Sequence, residues 1–270
     1  MARDAREEAS MITTVEAQHK LTTPPGPAFD SIAHRYSHAG AELISVSALI
    51  ARHKRPFDER GNATRVARRE GRTIEDVLAA WATKRDAAMD RGKQVHAEIE
   101  RALEPHIGKR CAEINPRAAE SPLAKHALAF LAEWSDAELV AQEARLMLPE
   151  SRVAGTLDLL VRTPHGELVI LDWKTNASLR LRAERTWADC KMLAPIAHLD
   201  DVAGSHYALQ LSAYRLMLEA RYDLPIARCA IVHLEQHGAD AHLMPDLRGE
   251  VQDLLRAMNE PTTMTSEAPW

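Results

Sequence analysis

Three ionisable side chains stand where the surrounding residues are otherwise apolar. Asp158 lies within Leu157-Asp158-Leu159-Leu160-Val161, and Asp172 and Lys174 close the run Leu168-Val169-Ile170-Leu171. Side chains alternate across a strand, so Asp172 and Lys174 share one face while Trp173 takes the other. A charge in such a place is costly to desolvate unless it is partnered. Two kinds of partnership answer that need. Lys174 can pair with Asp158 or Asp172 as a plain ion pair at a sheet edge. Alternatively, the two carboxylates hold a hard divalent metal with the lysine beside it, an arrangement suited to metal-assisted hydrolysis.

The elements that must position these groups are legible around them. Residues 143–174 read as three short strands, 143–148, 155–162 and 167–174, parted by Pro149-Glu150-Ser151 and by Pro164-His165-Gly166. Upstream, His96, Ile99 and Leu103 follow helical spacing, which turns the histidine toward a buried stripe as a core residue or a metal ligand. Gly92 precedes it at a cost of about 1 kcal/mol relative to Ala in a helix interior, and predicts a close approach to another backbone. Downstream, a helix starting at Ser205 carries Gln210, Tyr214, Met217 and Arg221 on one face.

The rest of the chain frames this centre. Residues 1–30 read as a polar, poorly ordered arm that ends in Thr22-Thr23-Pro24-Pro25-Gly26-Pro27. Residues 34–46 suggest a hairpin turning at Ala39-Gly40, followed by a helix capped at Ser47. Thr73 and Ser121-Pro122 each mark a helix start. Residues 180–204, with a basic start and Pro195 inside, predict a functional loop or lid. A further strand over 225–235 and a last helix over 246–258 precede a frayed tail. The order of elements is that of an α/β protein: a mixed sheet flanked by helices, with an N-terminal helical portion over one end. The expected division is an arm (1–30), a hairpin and helical portion with the histidine (31–135), a core (136–260) and a flexible tail (261–270).

Composition narrows the function classes. At 46% apolar and 27% charged residues the chain is an ordinary globular protein, and its net charge of −5 excludes a globally basic nucleic-acid binder. Two local cation clusters, 65–72 (RVARREGR) and 180–185 (RLRAER), read either as solvated helix faces or as DNA contacts. Cys111, Cys190 and Cys229 form no CxxC pair, so neither a zinc finger nor a disulfide framework is supported. No stretch approaches a membrane span and the N-terminus lacks a signal-peptide core, so the expected location is cytoplasmic.

Four blocks in order, GKQVH, GTLDLLV, DWKT and QLSAY, resemble the PD-(D/E)XK nuclease superfamily, and within it the RecB-like exonucleases. These include phage-type exonucleases and the mitochondrial genome maintenance exonuclease. The likeness covers roughly residues 34–235 and implies a restriction-endonuclease-like core. It implies that Asp158 and Asp172 are acidic metal ligands, joined by His96 and by the backbone carbonyl of Trp173. Lys174 would orient the attacking water, Gln210 and Tyr214 would line the site and contact DNA, and Glu143 matches an acid on the preceding strand. The implied cofactor is one or two Mg²⁺ or Mn²⁺ ions. The cysteine set of the family's iron–sulfur members is missing, so no iron–sulfur cluster is expected. The motif proline is also absent, since Leu157 precedes Asp158.

The resemblance thus points to a metal-dependent DNA exonuclease of phage or prophage type in DNA processing, recombination or repair. Its substrate would be single-stranded DNA or DNA ends, and a recombination or single-strand-binding protein is a candidate partner. A structure-specific endonuclease of the same fold and a catalytically silent DNA-binding module are the alternatives.

Overall fold

The computed structural model describes residues 12–182 and 190–259. In chain order the elements are α1 (Thr14–Thr22), β1 (Ala28–Asp30), β2 (Arg35–His38), β3 (Ala41–Ser45), α2 (Val46–Ala51), α3 (Glu59–Glu70), α4 (Ile74–Leu103) and α5 (Pro122–Glu133). They continue with β4 (Glu138–Leu148), β5 (Val153–Arg162), β6 (Leu168–Lys174), α6 (Ala203–Tyr222), β7 (Ile226–Glu235), β8 (Gly238–Leu243) and α7 (Arg248–Asn259). The strands form one mixed sheet of eight, in the order β1-β2-β3-β5-β6-β7-β8, with β4 also paired to β5. This is the expected restriction-endonuclease-like architecture, a mixed sheet flanked by helices.

Strand β5 is the hub. One of its edges is taken along its whole length by β4, antiparallel from Leu148↔Val153 to Glu138↔Arg162. The other edge is divided. It pairs in parallel with β3 at Ile44↔Val153 and Ser45↔Ala154, and antiparallel with β6 from Leu159↔Leu171 to Arg162↔Leu168. Residues 155–158 fall between these two ladders, so β5 and β6 fork immediately beyond Leu159 and Leu171. The fork opens where both aspartates sit.

The period-two pattern of β6 feeds two cores. Leu168 and Ile170 pack with Leu209, Ala213 and Met217 of α6, Val46 and Leu49 of α2, and Val251 and Leu254 of α7. Val169, Leu171 and Trp173 face the other way, toward Val95, Ile99 and Leu103 of α4 and Leu128 and Leu131 of α5. Asp172 and Lys174 therefore lean toward α6 and Trp173 toward α5, as strand alternation predicts. The Trp173 ring meets Phe130 edge-on at 6.4 Å.

Several sequence expectations need correction. Where a poorly ordered arm is expected, residues 14–22 form α1. Thr13 caps it by accepting from the Glu16 N–H, Ala17 is fully buried, and Gln18 Nε2 donates to Val140 O of β4 at 3.0 Å. A short polar sequence is a weak helix on its own, and docking on the sheet is what stabilises it. Residues 1–11, 183–189 and those from 260 on lie outside the described residues, so all of the expected tail (261–270) and part of the 180–185 cluster do too. The cap of α2 is Ser45, which accepts from the Ala48 N–H at 3.1 Å, and not Ser47. Pairing with Ala154 ends β3 at Ser45 and so fixes where the helix begins. Strand β8 was not read from the sequence, because its half-exposed residues Gly-Ala-Asp-Ala-His-Leu carry no apolar alternation. Helix α4 runs unbroken through Gly92. A side chain there would meet only Thr175 Oγ1, at 3.4 Å, so the neighbour is a side chain and not a backbone.

Candidate active site

Four elements converge at the fork. Asp158 comes from β5, and Asp172 and Lys174 from the end of β6. Glu143 comes from β4, where Gln142↔Leu159 and Ala144↔Leu157 place it opposite Asp158. His96 comes from α4. Glu143 has φ of +46°, a left-handed conformation uncommon for a residue with a Cβ and costly inside a strand. That local irregularity accompanies a half-buried carboxylate presented to the fork.

The ladder that ends at Leu159↔Leu171 leaves the Trp173 N–H without a strand partner on the β5 side. Asp158 Oδ2 accepts it at 2.9 Å. The same oxygen lies 3.6 Å from His96 Nδ1, while His96 Nε2 reaches the Trp173 carbonyl at 3.2 Å. Lys174 Nζ forms an ion pair with Asp172 Oδ2 and lies 4.9 Å from the centre of the Tyr207 ring. Asp172 is 1% exposed; its Oδ1 has no hydrogen-bond partner among the described residues, and its Oδ2 has the Lys174 ammonium. A buried carboxylate with one bare oxygen is expensive, and the Lys174 ammonium is its one close compensating charge.

The electrostatics of the fork follow from this crowding of acids. Burial, then the charges of Asp158, Glu100 and Asp172, push Glu143 up to about 8. Burial and the Asp172 carboxylate push Asp158 up to about 6, against the pull of His96, Lys174 and the Trp173 N–H. Burial opposes the charge on Lys174, but the Asp172 and Asp158 carboxylates more than offset it and hold the ammonium above its ordinary value. Three acids packed this closely need more positive charge than one lysine supplies.

A divalent metal fits that deficit. One donor atom each from His96, Glu143 and Asp158 lies within 4.8 Å of the others, and the buried Asp172 carboxylate, with its bare Oδ1, stands beside them at the fork. Hard oxygen donors with a single imidazole suit Mg²⁺ or Mn²⁺.

Around the fork, α6 supplies a supporting layer. Gln210 Nε2 donates to the Tyr214 hydroxyl at 3.0 Å, and burial raises Tyr214 well above its ordinary value, with the Asp172 charge adding to the shift. Tyr214 is 5% exposed, so little of its surface is open to solvent. It packs on Gly155, where a Cβ would stand 2.5 Å from Tyr214 Cε1. The Tyr36 hydroxyl shares a hydrogen bond with Thr156 Oγ1 at 2.8 Å on the same stretch of β5.

The fork thus assembles every residue singled out in the sequence except Tyr214 and Gln210, which stand one layer behind. Tyr207, Gly155 and Tyr36 were missed. Tyr207 was findable, since it precedes Tyr214 by seven residues and so repeats the same helix face. The described parts of the expected lid are fastened down. The Gly204 N–H donates to Arg180 O, and a Cβ on Gly204 would collide with Leu181 O at 2.1 Å. Residues 190–201 close on themselves through Met192 N–H to Leu199 O and the Lys191–Asp200 ion pair.

The chain belongs to the PD-(D/E)XK nuclease superfamily, whose family model matches residues 26–268. Membership implies metal-dependent nuclease activity on DNA. No curated protein matches the chain in sequence. Among solved structures, one titled "Crystal structure of SSO0001" is similar at 15% identity and a TM-score of 0.35, over 92% of this chain and 85% of that one. A likeness at that TM-score carries no argument. Among the described residues no helix is long and apolar enough to cross a membrane.

Proposed function

We propose that the chain is a DNA exonuclease of RecB-like type that hydrolyses phosphodiester bonds with Mg²⁺ or Mn²⁺ and serves phage-type DNA processing. The observation that carries this reading is the fork. It sets Asp158, Asp172 and Lys174 at the split end of two strands and leaves the buried Asp172 with one carboxylate oxygen bare and the other on the Lys174 ammonium.

Asp158, Asp172, His96 and the Trp173 carbonyl would hold the metal, with Glu143 completing the donor set. When bound, the metal supplies a positive charge that polarises the scissile phosphate and lowers the pKa of water. The protein's own groups do the rest. Lys174, held by Asp172 and backed by the Tyr207 ring, points its ammonium at the attacking water or a non-bridging oxygen, where negative charge develops. Asp158 holds the Trp173 backbone, and so fixes the direction of its carbonyl. Gln210 and Tyr214 keep the floor beneath Gly155 closed to water.

The test uses linear DNA labelled separately at its 5′ and 3′ ends, beside a closed circle, with Mg²⁺, Mn²⁺ or EDTA. Metal-dependent loss of the linear substrates alone is the expected result, and it disappears in Lys174→Ala. Cleavage of the circle at the same rate would replace the exonuclease reading with an endonuclease.

A further inference from the structure

Where β6 ends, a side chain takes over from the ladder on each of its edges. On the β5 side, Asp158 receives the Trp173 N–H. On the β7 side, the parallel ladder stops at Lys174↔His233, while β7 itself runs on to Glu235. The His233 side chain continues the connection. Its Nε2 donates to the Asn176 carbonyl at 2.6 Å; a carbonyl only accepts, so Nε2 carries the proton.

The strand pattern places this histidine beside the lysine. Cys229 and Ile231 of β7 belong to the core under α6, and Val232 and Leu234 to the core under α5. His233 therefore shares the α6 face with Lys174, one strand spacing of about 4.8 Å away. It is 5% exposed and stands alone in the run Ile231-Val232-His233-Leu234, the same signal that marks Asp158. A buried histidine is commonly a core residue with its nitrogens satisfied nearby. What sets His233 apart is its acceptor. The bond goes to a carbonyl two residues past the lysine, on a stretch that is neither strand nor helix.

Asn176 is held a second time. Its Oδ1 accepts from the Tyr207 hydroxyl at 3.2 Å, and the ring of that tyrosine is the one 4.9 Å from Lys174 Nζ. Thr175, between the two, lies against Gly92 of α4. His233, Asn176, Tyr207 and Lys174 thus close a circuit, since Lys174 returns to His233 as its ladder partner. The end of β7 is fixed in turn. His126 Nδ1 of α5 donates to Glu235 O at 2.8 Å, and Glu235 Oε1 lies 3.4 Å from His233 Nδ1. The circuit matters because a lysine is a flexible four-carbon stem with a compact charge at its tip. The ion pair with Asp172 holds that tip but leaves the stem several paths to it. The course of the chain after Lys174 and the place of the Tyr207 ring select one path, and Asn176 ties the two together.

We infer that His233 is a positioning residue for Lys174, holding its ammonium in the fork through Asn176 and Tyr207. This deepens the nuclease reading and rests on it for the reaction, though not for the geometry of the lysine.

Two readouts keep these apart. Lysine labelled with carbon-13 at Cε reports the geometry by NMR in the metal-free protein. The Tyr207 ring current should displace the Lys174 signal from those of exposed lysines, and Lys174→Arg identifies it by its loss. The reaction is followed as kcat and KM for Mg²⁺-dependent hydrolysis of linear DNA. His233→Ala should move the signal toward the exposed lysines and lower kcat about 10- to 100-fold, the usual cost of removing support behind a reacting group, with KM unchanged. His233→Gln, whose amide nitrogen can donate from nearly the place of Nε2, should restore both. Tyr207→Phe keeps the ring and loses only the hydroxyl, so it should shift both readouts the same way by less. It decides the matter if His233→Ala does not fold. An unmoved lysine signal, an unchanged kcat in an active enzyme, or a loss that Gln does not restore would overturn the inference. A wild type that hydrolyses no DNA, with the signal still moved by Ala and restored by Gln, would overturn the nuclease reading and leave the positioning of Lys174 standing.

Discussion

The two ends of the β5–β6 hairpin are built from the same strands and do opposite things. At the closed end, Leu159 to Arg162 pair in register with Leu171 to Leu168, and every apolar side chain there is buried. At the open end the ladder stops, and three acids and a lysine occupy the gap with a single backbone hydrogen bond, from the Trp173 N–H to Asp158, across it. The closed end is stable because its polar backbone groups satisfy one another and its side chains fill two cores. The open end, where we propose the chemistry takes place, holds a carboxylate oxygen that the protein alone does not satisfy. One supports the other: a fork holds carboxylates in fixed positions only if its stem is rigid.

The sharpest way to break this contrast is to injure one end and read both properties. Leu171→Ala empties a fully buried site in the stem. It should cost about 2–5 kcal/mol of stability, measured by urea unfolding, with the rate per folded molecule nearly unchanged. Lys174→Ala should do the reverse when both variants are compared in Mg²⁺, which replaces the counter-charge that buried Asp172 loses. Cleavage should fall about 100- to 1,000-fold, while metal binding, followed by the rise in melting temperature on adding Mg²⁺, persists. If the two variants shifted stability and rate together, the ends would not be separate in function.

Gly155→Ala is smaller in effect and lies on the boundary. Its new Cβ meets the buried Tyr214 ring, so a loss of about 1–3 kcal/mol is expected. Adding Tyr214→Leu should recover part of that loss, and the coupling in the double-mutant cycle measures the contact.

The last prediction concerns pH. Glu143 rises from its ordinary 4.5 to about 8 in the folded chain, and Asp158 is raised as well. Between those pH values the metal-free folded state holds a proton that the unfolded state has lost. The stabilisation is thus complete below the ordinary value and disappears as pH rises through the folded one. Scanning calorimetry in EDTA should show the melting temperature falling as pH rises across that window. Glu143→Gln should flatten the fall, and Mg²⁺ should oppose it, since a cation at the fork favours the ionised acids. A melting temperature rising with pH in EDTA would mean that Glu143 is not held protonated.

Much of the site was legible because strand alternation is rigid. Lone charges in Leu-rich runs identify Asp158, Asp172 and Lys174, and the period of two assigns Trp173 to the opposite face. Helical spacing likewise placed His96 toward the sheet. What escaped was whatever depends on a partner far away in sequence. The helix α1 exists because β4 gives it a surface, and Ser45 rather than Ser47 caps α2 because β5 ends the preceding strand. The burial of Tyr214 likewise depends on Gly155 of β5, against which its ring packs.

The sequence by itself determined which residues are charged among apolar neighbours and which faces they share, because those follow from local geometry with fixed periods. Only the tertiary structure decided that β5 divides its edge between β3 and β6. That division opens the fork and leaves Asp172 Oδ1 without a hydrogen-bond partner. The physical reason is that burial and pairing are properties of two segments at once, and no single segment records them.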